Sequence, residues 1–158
     1  MTGRNTSTAR SNPGSKGDLP FQHILVPTDL TKRTEQALQL AGTFASQGPA
    51  RVTLLHVIEV VDGLPFEELR PFYDRIERKA RTTMDAFARR TVNPPASVAS
   101  AVTYGLRAEE IVKFAVANGV DLIVLASHRV NPSMVNRDWG TISYKVGILA
   151  QCPVLLVK

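Results

Sequence analysis

Five short apolar runs punctuate the chain, at residues 23–26, 52–58, 98–104, 122–126 and 154–157. The first, fourth and fifth are nearly unbroken aliphatic stretches, as expected of strands covered by helices on both faces. Between the runs, apolar positions recur at helical spacing. Ala37, Leu38, Ala41, Phe44 and Ala45 share one face before Gly48 and Pro49 stop the helix. Phe72, Ile76, Ala80, Met84 and Phe87 repeat the pattern in the second connection. Pro65 and Pro71 interrupt the front of that connection, where a separate short helical turn is expected, and Pro94 and Pro95 mark its end. Ala108, Ile111, Val112 and Ala115 form a third stripe that closes at Asn118 and Gly119; Ile142, Val146 and Leu149 form a fourth that closes before Pro153. Strands alternating with helices in this way predict βαβ units on a parallel sheet. With right-handed crossovers, the fold class is α/β, a five-stranded parallel doubly wound sheet with helices on both faces.

Residues 1–19 are rich in Ser, Thr, Gly, Asn and basic side chains and cannot bury enough surface to offset ordering entropy. They are expected to form a disordered tail ahead of a folded domain spanning residues 20–158. The lack of acids before Asp18 leaves an organelle-targeting reading beside that of a plain extension.

The length of 158 residues suits one domain with a core that needs no disulfide or metal. No apolar run approaches the roughly 20 residues of a membrane span, which excludes a membrane-embedded helix. Cys152 is the single cysteine, so an internal disulfide is impossible. With no apolar secretory core at the amino end, a reducing cytoplasmic location is expected. The net charge of +5 raises the question of nucleic acid. However, the excess lies in the tail, at Arg4, Arg10 and Lys16, and along the second helical segment, where Arg75, Arg78, Lys79 and Arg81 are interspersed with Asp74, Glu77 and Asp85. That mixture reads as a solvated helix face and argues against nucleic acid.

In open α/β sheets, ligands collect beyond the carboxyl ends of the strands where strand order reverses, so candidate chemistry should follow the strands. Pro27, Thr28 and Asp29 follow the first run. Asp29 either accepts hydrogen bonds from a nucleobase or ribose, or caps the next helix, a role Thr31 could fill instead. At the end of the second run the backbone of Val57 is placed to pair with a purine edge, or Val57 is a plain strand-end residue. After the fourth run come Ala126, Ser127, His128 and Arg129, and then Trp139, Gly140, Thr141, Ile142 and Ser143 open the last helix. The first N–H groups of that helix, with the Thr141 and Ser143 hydroxyls, make a phosphate cradle. His128 lacks a neighbouring nucleophile or orienting carboxylate and is given no catalytic role. Arg129 and Arg137 either bind phosphate or are solvated; Trp139 reads as a lid or core residue and Cys152 as a buried small hydrophobe.

The motifs Ile24-Leu25-Val26-Pro27-Thr28-Asp29, Leu54-Leu55-His56-Val57-Ile58, Gly105 with Ala108-Glu109-Glu110-Ile111, Asp121-Leu122-Ile123-Val124 and Cys152-Pro153-Val154-Leu155-Leu156-Val157, in that order, resemble the universal stress protein family. The resemblance covers about residues 21–158. It implies the strand order 3-2-1-4-5, a common dimeric state, and a family in which many members bind ATP and others bind none. In ATP-binding members the residues matching Asp29 and Val57 hold adenine and ribose, while G-x-x-G, a spacer and G-[S/T] wrap the phosphates. Here Ala126 and Arg129 match the two glycines of the first element, the spacer at residues 130–139 is longer than the pattern, and Gly140 with Thr141 keeps the last element. Gly105-Leu106-Arg107 carries Arg where many relatives have Pro. A left-handed turn at Arg129 would cost on the order of 1 kcal/mol, which its charge partly offsets by meeting phosphate.

The resemblance implies a cytoplasmic stress-response or signalling protein binding ATP with magnesium at the switch point, not an enzyme, with hydrolysis slow at most. The alternative is a nucleotide-free stress protein that acts as a homodimer through the strand-five edge. A true ATPase or nucleotidyl transferase is a third reading, without a general base or metal-ligand pair to carry it.

Overall fold

The computed structural model describes residues 21–61, 63, 65–91, 98–128 and 141–158. The expected tail at residues 1–19, and Arg129, Arg137, Trp139 and Gly140 of the candidate loop, lie outside the described residues. The elements follow in the expected alternation: β1 (His23–Thr28), α1 (Arg33–Ala45), β2 (Arg51–Ile58), α2 (Phe66–Thr91), β3 (Val98–Tyr104), α3 (Arg107–Ala117), β4 (Leu122–Ala126), α4 (Ile142–Leu149) and β5 (Val154–Val157). All strand pairs are parallel, and the order is β3-β2-β1-β4-β5.

Side chains of successive strand residues point to opposite faces, so each strand feeds two cores. On one face Ile24, Val26, Leu54 and Val124 pack against Leu38 and Ala41 of α1 and Met84 and Phe87 of α2. On the other, Leu25, Leu55, Ile123 and Leu125 meet Ile111 and Ala115 of α3 and Val146 of α4. Each such aliphatic side chain contributes roughly 1.5–3 kcal/mol when fully buried. Gly119, at φ +62°, ends α3 in the left-handed conformation that glycine takes at little cost.

Four expectations are corrected. α2 is one continuous helix from Phe66 with Pro71 inside it, so Pro71 does not set off a separate front turn. Pro71 lacks only the N–H that would reach Glu67, and burial of Tyr73, Ala80, Met84 and Phe87 holds the remaining turns. The buried aromatic of its stripe is Tyr73, at 1 % exposure, while Phe72 is 44 % exposed. Tyr73 turns inward because its hydroxyl accepts the Val61 N–H at 2.9 Å and its ring stacks on Phe66, with centroids 5.1 Å apart. β5 is an edge strand and is not covered on both faces, leaving Leu156 half-exposed, as are Leu149 and Ile148 of α4. Cys152 is only partly buried, and burial, then the neighbouring Asp121 carboxylate, pushes its thiol pKa up.

Candidate functional site

β1 runs through Pro27 and Thr28, which places a proline inside a central strand. Its tolerance follows from the ladder. The Arg51 N–H is given to Gln22 O and the Asp121 N–H to His23 O, so successive residues of β1 face β2 and β4 in turn. Pro27 therefore faces β4, and the β1–β4 register ends two residues earlier, at Leu25↔Ile123. The ladder between β1 and β4 thus stops where Pro27 has no N–H to give. The crevice opens at that point, between the two strands whose connections leave in opposite directions.

Beyond the strand, Leu30 has φ +62°, a left-handed conformation that costs a non-glycine residue on the order of 1 kcal/mol. Side-chain bonds hold it there. The Leu30 N–H donates to Thr28 Oγ1 at 2.9 Å, and Thr28 Oγ1 bonds Thr34 Oγ1 at 2.8 Å, both threonines being buried. Asp29, presented by this bend, accepts the Thr31 N–H at 3.0 Å and the Thr31 hydroxyl at 2.6 Å on one oxygen, and Arg33 at 3.2 Å on the other. Burial raises its pKa, but the Thr31 bonds and the Arg33 guanidinium outweigh it and hold the carboxyl below its ordinary 3.8. Neither Asp29 nor Thr31 is the N-cap of α1; Lys32 occupies that position without a side-chain cap.

The bend also frees the end of β2. Alternate residues from Arg51 to Val57 face β1, and the next ladder partner for the Val57 carbonyl would be the Leu30 N–H. That N–H is bonded to Thr28 instead. His56 Nδ1 lies 3.0 Å from the Thr28 carbonyl, which can only accept, so Nδ1 carries a proton and donates it there.

A cavity of about 170 Å³ occupies the crevice. Leu55, Ile111 and Leu125 give it an apolar floor, Pro27, Thr28 and Asp29 form the β1 rim, and His56 and Val57 the β2 rim. Ala126, Ile142 and Ser143 close the β4–α4 side. Thr34 and Arg107 complete the polar lining. Thr141, as N-cap of α4, accepts the Tyr144 N–H at 3.3 Å, and its hydroxyl proton remains available to donate. The N–H groups of Ile142 and Ser143, first in the helix, are beyond the reach of intrahelical bonds.

Of the residues singled out in the sequence, Pro27, Thr28, Asp29, Val57, Ala126, Ile142 and Ser143 line this one cavity. Thr141 stands beside it at the start of α4. Ser127 and His128 turn toward β5: the Ser127 N–H donates to Val157 O at 2.7 Å, and Lys158 Nζ donates to Ser127 Oγ at 3.2 Å and to His128 O at 3.0 Å. Arg129 and Gly140 lie outside the described residues. Sequence reasoning passed over Thr34, His56 and Arg107. The signal for His56 was present, since it stands near the carboxyl end of β2, whereas Arg107 opens α3 three residues past the end of β3. Thr34 approaches from the far end of a left-handed bend that no motif announces. Among the described residues no group of three or more His, Cys, Asp or Glu side chains could hold a metal, and no helix is long and apolar enough to cross a membrane.

The family model described as "Universal stress protein family" matches residues 20–158. Universal stress protein MJ0577 of Methanocaldococcus jannaschii is 28% identical over 156 residues, covering 87% of this chain and 95% of that protein. The solved structure of MJ0577 superposes with a TM-score of 0.71 at 27% identity, covering 89% of this chain and 97% of the other. The universal stress protein of Archaeoglobus fulgidus in complex with dAMP shares the fold at TM-score 0.63 and 18% identity, over 89% of this chain and 100% of that one. A universal stress protein in complex with cAMP does so at TM-score 0.62 and 20% identity, over 87% and 97%.

Proposed function

Because the chain belongs to the universal stress protein family, over residues 20–158, we propose that it is a cytoplasmic stress-response or signalling protein that binds an adenine nucleotide, ATP with magnesium, in the cavity at the β1/β4 switch point. The observation that carries this reading is the cavity itself: apolar side chains of Leu55, Ile111 and Leu125 with hydrogen-bonding groups contributed from the β1, β2 and α4 sides. Adenine lies on those side chains with its amino group toward the Val57 carbonyl. Asp29 takes the ribose hydroxyls, because a carboxylate with two oxygens keeps acceptor capacity beyond its Thr31 and Arg33 bonds. The phosphates meet the Ile142 and Ser143 N–H groups and the Thr141 and Ser143 hydroxyls, joined by Arg129 and Gly140. Magnesium arrives on the phosphates. Adenine nucleotides bound to two proteins of this fold support the reading. No residue is assigned a catalytic role, and hydrolysis is slow at most.

The test is a melting curve with and without Mg-ATP. A ligand at 100 times its Kd stabilises by about 2.7 kcal/mol, which raises the midpoint by several degrees, and Asp29→Ala should remove the rise. No rise at millimolar ATP would contradict the proposal.

One observation favours a second reading, that the chain works as a homodimer through the β5 edge. Tyr144, Ile148 and Leu149 of α4 and Leu156 of β5 are apolar and exposed beside that edge. Light scattering on the purified chain decides it: a mass of twice 17.3 kDa that Leu156→Lys reduces to one copy supports the dimer. A single-copy mass for the unmodified chain removes it.

A further inference from the structure

Arg107 is the first residue of α3, following Leu106 at the N-cap. A cation at that position opposes the positive end of the helix dipole and adds nothing to the helix. Arg107 lines the cavity, and its guanidinium is tethered by an ion pair of 2.7 Å to Glu59, the residue directly after β2. The backbone fixes the same place: the Gly105 N–H donates to Ile58 O at 3.0 Å, so α3 starts over the end of β2. Gly105 makes that start possible, because its φ is +141° and a Cβ there would lie 2.9 Å from Glu110 Cγ. Among the described lining residues Asp29 and Arg107 carry the formal charges, and Asp29 is already bonded to Thr31 and Arg33.

The strand order decides which part of a ligand Arg107 meets. β3, from which α3 leaves, lies on the β2 side of β1, whereas Thr141 and Ser143 come from the β4 side. A nucleotide lying across the end of β1 with its phosphates toward α4 has its base toward β2 and α3. We propose that Arg107 is a base-recognition residue, its guanidinium donating to a ring-nitrogen acceptor of the purine while Glu59 holds it over the end of β2. The planar, weakly hydrated guanidinium suits that contact better than an ammonium would. This inference rests on the nucleotide reading above and adds to it the group that selects the base.

Titration calorimetry of the full chain and of Arg107→Ala, each with adenosine and with Mg-ATP, tests it. Arg107 is half-exposed at a helix start, and circular dichroism checks that the variant keeps its fold. The expected result is that Arg107→Ala weakens adenosine and ATP by the same factor, roughly tenfold, as for loss of one hydrogen bond from a charged donor. A loss for ATP with none for adenosine would put the guanidinium on the phosphates and overturn the inference. Unchanged affinity for both would leave Arg107 a surface ion pair and overturn it as well. Either outcome leaves the nucleotide reading standing, whereas failure of the unmodified chain to bind either ligand overturns that reading and this inference together.

Discussion

At its amino end β1 is tied to both neighbours. The Gln22 and His23 N–H groups donate to the two oxygens of Asp121 at 2.7 and 3.0 Å. The buried His23 ring lies 2.8 Å from Thr53 Oγ1 through Nε2, and the Arg51 guanidinium is shared between His23 Nδ1 and the Asn118 carbonyl, at 3.0 and 3.1 Å. Three strands and the end of α3 are joined in this way, and the polar groups answer one another. At its carboxyl end the same strand parts from β4, carries a proline where a ladder N–H would stand, and bends through a left-handed leucine. Hydrogen bonding there goes into the bend, among Thr28, Leu30 and Thr34, and the ends of the neighbouring strands are left facing a cavity. A parallel sheet thus acquires a ligand site where its ladder stops, and a firm base where pairing is completed by side chains.

The sharpest way to separate the two ends is to damage them one at a time. Asp121→Ala removes the acceptor of two strand N–H groups and should cost about 2–3 kcal/mol of stability in urea unfolding, with nucleotide affinity unchanged. A weakened ligand at full stability would show that the ends are not independent. Thr34→Val removes the buried partner of Thr28 and should cost about 1–2 kcal/mol, but here affinity should fall too, because the bend that presents Asp29 loosens. If affinity is retained, the Thr28–Thr34 bond has no part in the site.

The smallest effect concerns acid. Asp29 titrates below its ordinary 3.8 in the folded chain, so its contribution is present above that value and lost as pH falls through the folded-state value. The stability difference between the unmodified chain and Asp29→Asn should therefore be constant near neutrality and shrink below the ordinary value. It should be small, since the Arg33 pair is largely exposed to solvent. A difference that grows in acid would contradict the bonding described for Asp29.

Much of this architecture was legible in the sequence. Val98–Tyr104, Leu122–Ala126 and Val154–Val157 are strands with the bounds of their apolar runs, and of these only Leu122–Ala126 is the buried, unbroken aliphatic strand that a position inside a parallel sheet selects. β1 extends past its aliphatic run because Pro27 and Thr28 serve the bend and not the core. Phe72 misled because hydrophobicity alone does not set the phase of a helical stripe; the Val61 N–H waiting for a hydroxyl selects Tyr73. In the site, residues that follow strands were found by rule, and Asp29, Val57, Ala126 and Ser143 do meet in one cavity. Thr34 and Arg107 were not found, because their approach depends on the left-handed Leu30 and on Gly105, backbone turns that no periodicity records.

The central claim is that ligand binds at the open end of β1 and not at the tied one. Backbone amide NMR of the chain titrated with Mg-ATP tests it most directly. Shifts concentrated at Asp29, Val57, Arg107 and Ser143, with His23, Arg51 and Asp121 unmoved, are predicted. Shifts centred on His23 and Arg51, or none at millimolar ATP, would contradict it.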